Sequence, residues 1–162
     1  MIEFYGEVTD YTKRRTDKLR KRYFSGWLFA LALIVFVVAL VLLITAAGLG
    51  WLYAMIFAVL LAAAGAFFRF GPMKKNFNKA KWLFRVQIEG DRLTWVQYLP
   101  DKTIRKEKNL NGVKKVYRTK YCYYIVFNDI ANAVVCERCL LKRGTFERFE
   151  YTFEGKIRNL EI

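Results

Sequence analysis

The longest uncharged run of this chain extends from Gly26 to Phe68 and contains no Asp, Glu, Lys or Arg. A membrane core about 30 Å thick is crossed by about 20 apolar residues in a helix. The run holds two segments of about this length, Trp27–Ala46 and Trp51–Phe68, joined by a short uncharged turn. Water-soluble domains do not need so long an uncharged run. The pattern therefore predicts a transmembrane helical hairpin within residues 26–70.

Basic side chains flank this hairpin on both sides, and its turn carries no charge. The seven that precede it are Lys13, Arg14, Arg15, Lys18, Arg20, Lys21 and Arg22, and the six that follow are Arg69, Lys74, Lys75, Lys79, Lys81 and Arg85. Because Lys and Arg favour the cytoplasmic side, both termini are predicted in the cytoplasm. Residues 1–25 then form a basic N-terminal segment, and residues 71–81 form a basic linker. A cleaved signal peptide is disfavoured because the first apolar run is too long and a second follows at once.

Small residues recur at every fourth position of the second predicted helix, at Ala54, Ala58, Ala62 and Ala66. Such a ridge lets two helix backbones approach closely in a membrane. The partner is either the first helix of the same chain or, in a homodimer, a second copy. Transporters place charged groups inside their spans, and neither predicted span has one. The hairpin is therefore interpreted as an anchor in the lipid bilayer of the cell membrane.

The pattern changes to alternation after the linker. Residues 83–98 alternate apolar and polar positions around a turn at Gly90-Asp91, which predicts a β-hairpin. Further short strands are predicted at about 103–108, 113–118, 121–127 and 130–135. No helical pattern separates them, so residues 82–162 are predicted to form a small antiparallel β domain. The fold class is an α+β membrane protein.

The end of the chain returns to helical spacing. One apolar stripe is formed by Phe146, Phe149, Phe153, Ile157 and Leu160. The stripe predicts an amphipathic helix over 145–154 that closes the sheet, with Thr145 as its N-cap. Gly155 lowers the helix propensity, so the continuation beyond it is expected to be weaker.

The net charge of +14, from 28 basic and 14 acidic residues, suits an anionic partner. Next to a membrane hairpin, positive-inside topology and attraction to anionic lipid headgroups explain such a balance more simply than nucleic acid, which we do not predict. The candidate binding residues in the β domain are Lys114, Lys115, Arg118, Lys120, Arg138, Lys142 and Arg143. The alternative interpretation is that these charges only form the solvated face of a basic domain.

Little in the sequence indicates catalysis. The chain has no histidine and three cysteines, Cys122, Cys136 and Cys139. The Cys136–Cys139 pair has the C-x-x-C spacing, but a closed zinc site needs four ligands and the chain cannot easily provide them. Cys136 is better interpreted as the last inward residue of a strand. Glycine-rich phosphate loops are also missing from the sequence. We predict no enzyme activity, metal or cofactor.

The architecture and one run of residues resemble the YcxB-like group of bacterial membrane proteins. The run is NGVKKVYRTKYCYYI at 111–125, in which a strand, a short turn and an aromatic strand follow one another. The chain departs from the group at Leu110, where an aromatic residue is frequent, and at Cys136 and Glu137, where proline and lysine are usual. The resemblance implies a membrane location and a pleckstrin-homology-like C-terminal domain. It supplies no catalytic residues.

Two hypotheses for the function follow. In the first, the protein is a membrane-anchored, non-catalytic binding or scaffold protein whose domain docks a protein partner or anionic headgroups. In the second, it is a membrane self-protection protein that acts through its hairpin. The second rests on the similar plan of small bacterial proteins that confer immunity to membrane-active bacteriocins.

Overall fold

The computed structural model describes residues 1–45, 48–71 and 81–160. The chain divides into two compact units, one made of Met1–Thr16 with Lys75–Ile162 and the other of Asp17–Lys74. The first unit contains the β-sheets together with the first turns of a long helix, up to Thr16, and the second contains the rest of that helix and a second apolar helix. The α+β class predicted from the sequence is confirmed at this level.

Two long helices cover the predicted hairpin. Helix α1 extends over Asp10–Ile44 and helix α2 over Gly50–Phe70. The amide of Gly71 donates to the carbonyl of Phe67 at 2.7 Å, which closes the last turn of α2. Both helices are long and apolar enough to cross a membrane. Part of the predicted turn, residues 46–47, and most of the predicted linker, residues 72–80, lie outside the described residues.

The small-residue face of α2 packs against α1 of the same chain. Ala58 and Gly65 are the buried residues of α2. A Cβ added at Gly65 would lie 3.3 Å from the Cβ of Leu28 and 3.3 Å from the ring of Phe29. Ala54, Ala62 and Ala66 are half-buried. The homodimer through this ridge stays a prediction, and α1 already covers part of the surface that it would use.

The larger sheet has five strands in the order β4-β3-β2-β1-β8, and its strand pairs are antiparallel. The strands are β1 Ile2–Glu7, β2 Leu83–Glu89, β3 Arg92–Tyr98, β4 Thr103–Asn109 and β8 Leu141–Arg143. Phe4, Val86 and Trp95 lie side by side in this register. Because alternate residues of a strand face opposite sides, this row turns toward the core. The predicted hairpin over 83–98 and the strand near 103–108 are confirmed.

The smaller sheet has four strands in the order β7-β6-β5-β9. They are β5 Lys115–Arg118, β6 Cys122–Val126, β7 Val134–Glu137 and β9 Ile157–Asn159. Every residue of β6 is buried. Tyr123 belongs to the core on one face, whereas Tyr124 on the other face lies 3.3 Å, oxygen to oxygen, from Thr16 in α1. Burial on both faces explains why β6 lacks an apolar–polar alternation.

Helix α3 extends over Phe146–Thr152 and closes the core. The Thr145 hydroxyl accepts a hydrogen bond from the Arg148 amide at 3.2 Å, which confirms the predicted N-cap. Phe149 and Phe153 are fully buried and join the core cluster that both sheets line. The aromatic stripe therefore faces the sheets, as its spacing predicts.

The N-terminal segment differs from the prediction. Residues 1–25 do not form a separate basic segment, because Ile2–Glu7 is a strand inside the larger sheet and α1 begins at Asp10. Ile2 and Phe4 alternate with Glu3 and Tyr5, which is the period of a strand. Their partner strand begins more than 75 residues later along the chain, at Leu83. A pairing over that separation is not visible from local composition.

Two other predicted elements are also wrong in part. The helix does not continue past Gly155, whose backbone adopts φ +75°, and Ile157–Asn159 pairs with β5 as a parallel strand. This left-handed conformation favours glycine and ends the helix. The strand expected at 130–135 begins instead with the 3₁₀ turn Ile130–Asn132, whose cap is the Asp129 carboxylate, so β7 starts at Val134.

Candidate functional site

An open depression lies where β5, β7 and β9 end at one side of the smaller sheet. Its volume is about 290 Å³, and its lining residues are Arg118, Thr119, Lys120, Arg138, Asn159 and Leu160. Arg118 is the last residue of β5, and Lys120 belongs to the turn that follows it. Arg138 comes directly after β7. The depression therefore brings together three of the seven predicted cations.

Arg118 is already neutralised by a carboxylate. Its guanidinium donates to both oxygens of Glu150 at 3.2 Å, and its Nε donates to Asn159 Oδ1 at 3.0 Å. The Tyr123 hydroxyl also donates to Glu150, at 2.6 Å. That hydrogen bond and the Arg118 pair hold the pKa of Glu150 below its ordinary value. Arg118 therefore ties β5 to α3 and β9, and is less available to an incoming anion.

Arg138 is held in place by aromatic rings rather than by an ion pair. Its guanidinium carbon lies 4.7 Å from the Phe146 ring centre and 5.5 Å from that of Tyr123. Stacking on ring faces orients an arginine while its N–H groups keep their capacity to donate. Within residues 1–45, 48–71 and 81–160, no carboxylate lies within ion-pair distance of it. Arg138 thus presents an oriented guanidinium, with N–H groups able to donate hydrogen bonds, at the edge of the depression.

The depression continues onto an exposed aromatic surface. The Lys120 ammonium lies 5.5 Å from the Tyr121 ring centre, and that ring packs edge-on against Tyr11 at 5.0 Å. Arg15 in turn stacks on Tyr11 at 5.0 Å. Neither Tyr11 nor Arg15 was singled out from the sequence as a site residue. Their contact with Tyr121 depends on α1 packing against the smaller sheet.

The other four predicted cations do not converge on the depression. Lys114 and Lys115 are exposed at the opposite end of β5 from Arg118. Lys142 and Arg143 lie in β8 of the larger sheet, where Arg143 is 3.6 Å from the buried Glu3 carboxylate. For these positions the interpretation as a solvated face is the simpler one.

Glu137 has a structural role that its place inside the C-x-x-C motif did not suggest. Its carboxylate is buried and accepts hydrogen bonds from the Thr9 amide at 2.8 Å, the Thr12 hydroxyl at 2.7 Å and the Thr9 hydroxyl. Thr9 directly precedes α1, so Glu137 caps the start of that helix from strand β7. A carboxylate at this position also complements the helix dipole. The Thr-x-x-Thr spacing at 9–12 was the available sequence signal.

The three cysteines are free, and they differ in accessibility. Cys122 and Cys136 are buried, and Cys139 is exposed. Burial raises the pKa of the Cys136 thiol well above its ordinary value, so it stays a neutral apolar group. The prediction that Cys136 is an inward strand residue is confirmed. Within the described residues, no group of three or more Cys, Asp or Glu is arranged to hold a metal ion.

Alkylation of the native chain by a maleimide should consume one thiol rapidly. Cys139 is expected to react, whereas Cys122 and Cys136 react only after unfolding because they are buried. Mass spectrometry of the labelled protein counts the modified thiols. Replacing Cys139 by Ser should remove the fast reaction. Two fast thiols in the native chain would contradict the placement of β6 and β7.

Substitution of Glu150 tests the carboxylate cluster through its pH dependence. A lowered pKa in the folded state stabilises the protein above the ordinary value of 4.5, and this contribution is lost as the pH falls through the lowered pKa. Glu150→Gln should therefore lower the melting temperature at pH 6 and have a smaller effect at pH 3. Glu154→Gln, at an exposed position outside the cluster, serves as the control. It should change the melting temperature little at either pH. An equal shift for Glu150→Gln at both pH values would argue against the cluster.

No protein-family model, no curated protein sequence and no solved structure matches the chain.

Proposed function

We propose that this protein is a membrane-anchored, non-catalytic binding protein whose β domain docks an anionic partner at the depression around Arg138. The anionic group belongs to an acidic protein segment or to lipid headgroups. The proposal has three parts, which are the anchor, the domain and the anion site.

The anchor is supported by how little of the apolar helices the chain itself covers. Only 11% of the most apolar window of either helix is buried. A core helix of a soluble protein would be mostly buried, and exposed apolar surface on this scale has a large free-energy cost in water. A bilayer covers such surfaces. The flanking basic residues and uncharged turn favour cytoplasmic termini.

The domain has features in common with the pleckstrin-homology-like plan expected from the YcxB-like resemblance. Two sheets pack around one core, and α3 closes it with Phe149 and Phe153. Two strands depart from that expectation, because β1 precedes the hairpin and β9 follows α3 in a parallel pairing. The family assignment is therefore proposed from the architecture and from the run at 111–125.

The observation that carries the binding role is the state of Arg138. Its guanidinium is oriented by two rings and opens onto a depression that also contains Lys120. Arg118, by contrast, is already paired with Glu150. An oriented guanidinium binds a carboxylate or phosphate oxygen pair well because little side-chain entropy is lost on binding.

The test uses the full chain in nanodiscs of neutral lipid, titrated with fluorescein-labelled hexaglutamate and separately with phosphatidylglycerol vesicles. We expect at least one of the two anions to bind, more weakly as salt is raised. Arg138→Gln should reduce the affinity about tenfold, as expected for a hydrogen-bonded charge pair.

The matched control is Arg148→Gln, which removes one positive charge from an exposed position of α3 outside the depression. It should change the affinity less than twofold. If neither anion binds at low salt, or if the two substitutions weaken binding equally, the anion site is wrong. Equal weakening would indicate attraction by net charge alone.

A further inference from the structure

We infer that the depression is one end of a larger docking surface for an acidic segment of a partner protein. This surface, the Tyr11–Arg138 surface, consists of Tyr11, Arg15, Lys120, Tyr121 and Arg138. The inference rests on the proposed anion site and identifies its ligand as protein.

Two exposed tyrosines form the centre of the Tyr11–Arg138 surface. Tyr11 is 49% exposed and Tyr121 is 43% exposed, and their rings pack edge-on at 5.0 Å. A tyrosine pair fixed by such a contact presents rigid apolar area at little entropy cost. Two aromatic rings in contact on the surface form a contiguous patch, which marks an interaction site more often than a single exposed side chain does.

Cations surround this pair. Arg15 stacks on Tyr11, Lys120 lies over Tyr121, and Arg138 lines the same depression as Lys120. Carboxylates close to this surface are engaged by other groups, since Glu137 caps α1, Glu150 pairs with Arg118, and Asp10 pairs with Lys13. The surface is therefore positive, and an acidic ligand complements it.

The composition favours a protein over a membrane or nucleic acid. Tyrosine and arginine are the residues enriched at protein–protein hot spots. An interfacial helix that docks on a membrane inserts Trp, Phe or Leu side chains, and the two exposed large apolar groups of this surface are both phenols. Stacking of nucleobases needs open ring faces, whereas each tyrosine here already carries its own cation.

Selection from a library of random twelve-residue peptides tests this inference on the full chain in neutral nanodiscs. We expect enrichment of acidic peptides, and synthetic versions of these should bind in a titration. Tyr121→Ala and, independently, Arg15→Gln should each reduce their affinity at least about tenfold. Both positions are surface residues, and a melting curve of each variant verifies that it is folded.

The matched controls are Tyr151→Ala, at a 77% exposed tyrosine of α3, and Arg148→Gln. The peptide affinity of both variants should stay within twofold of that of the unsubstituted protein. The inference is overturned if the enriched peptides are not acidic, or if neither Tyr121→Ala nor Arg15→Gln lowers their affinity. It is also overturned if phosphatidylglycerol vesicles or single-stranded RNA, rather than peptides, bind in a Tyr121-dependent way. If only Arg138→Gln weakens binding, and Tyr121→Ala and Arg15→Gln do not, the anion site around Arg138 is supported and the larger docking surface is wrong.

Discussion

Phe149→Ala should lower the free energy of unfolding of the β domain by about 3–5 kcal/mol, the cost typical of emptying a buried aromatic site. Phe149 is 0% exposed. Its ring lies 4.7 Å from that of Tyr123, 4.9 Å from Phe153 and 5.5 Å from Phe4. It is the residue through which α3 contacts both sheets. Its removal leaves a cavity that the surrounding strands cannot easily close.

Hydrogen exchange of the full chain in detergent, read by mass spectrometry, measures this effect in the domain itself. The most protected amides of β5 and β6 should exchange about 10²–10⁴-fold faster in the variant, which corresponds to the expected loss. Tyr151→Ala on the exposed side of the same helix is the control and should change protection less than threefold. Comparable acceleration in both variants would show that α3 is not fixed to the core as described.

Glu137→Gln should destabilise the same domain by about 3 kcal/mol, because a buried charged acceptor is replaced by an amide with one acceptor oxygen. The carboxylate serves the Thr9 amide and two threonine hydroxyls. The amide nitrogen of the glutamine would face either the Thr9 N–H, which can only donate, or the two threonine hydroxyls, which would have to rotate in order to accept. The start of α1 would lose its cap, and β7 would lose its connection to α1.

Exchange in residues 9–16 and 134–137 should therefore accelerate together in Glu137→Gln. Glu147→Gln, at an exposed carboxylate in the first turn of α3, is the control. An acceleration in residues 9–16 alone would mean that the cap acts only on the helix. An unchanged exchange in both segments would contradict the buried hydrogen bonds of Glu137.

Local patterns in the sequence predicted those elements that are specified by residues close together in the chain. The uncharged run predicted α2 and the apolar part of α1, alternation predicted the β2–β3 hairpin, and the Thr145 cap with the Phe149 stripe predicted α3. In each case, a hydrophobic pattern or a capping or turn residue within a single segment specifies the type of element. The tertiary fold reinforces the local preference instead of opposing it.

Long-range pairing accounts for most of what the sequence did not reveal. β1 pairs with β2, which follows the two long helices in the sequence, and β9 pairs with β5 after the turn at Gly155. The site depended on the same pairings. Arg118, Lys120 and Arg138 converge because β5, β6 and β7 are neighbours, whereas Lys115 begins β5 at its other end and Lys114 directly precedes it.

Cys139 provides the most direct measurement of the central claim, which is that a membrane anchor holds the charged domain in the cytoplasm. The chain, expressed in bacteria with Cys122 and Cys136 intact as buried thiols, is examined in right-side-out and inside-out membrane vesicles. A membrane-impermeant maleimide should label Cys139 only in the inside-out vesicles, and the protein should stay in the membrane pellet after alkaline carbonate. Release by carbonate, or labelling from the outer side, would contradict the anchored cytoplasmic arrangement.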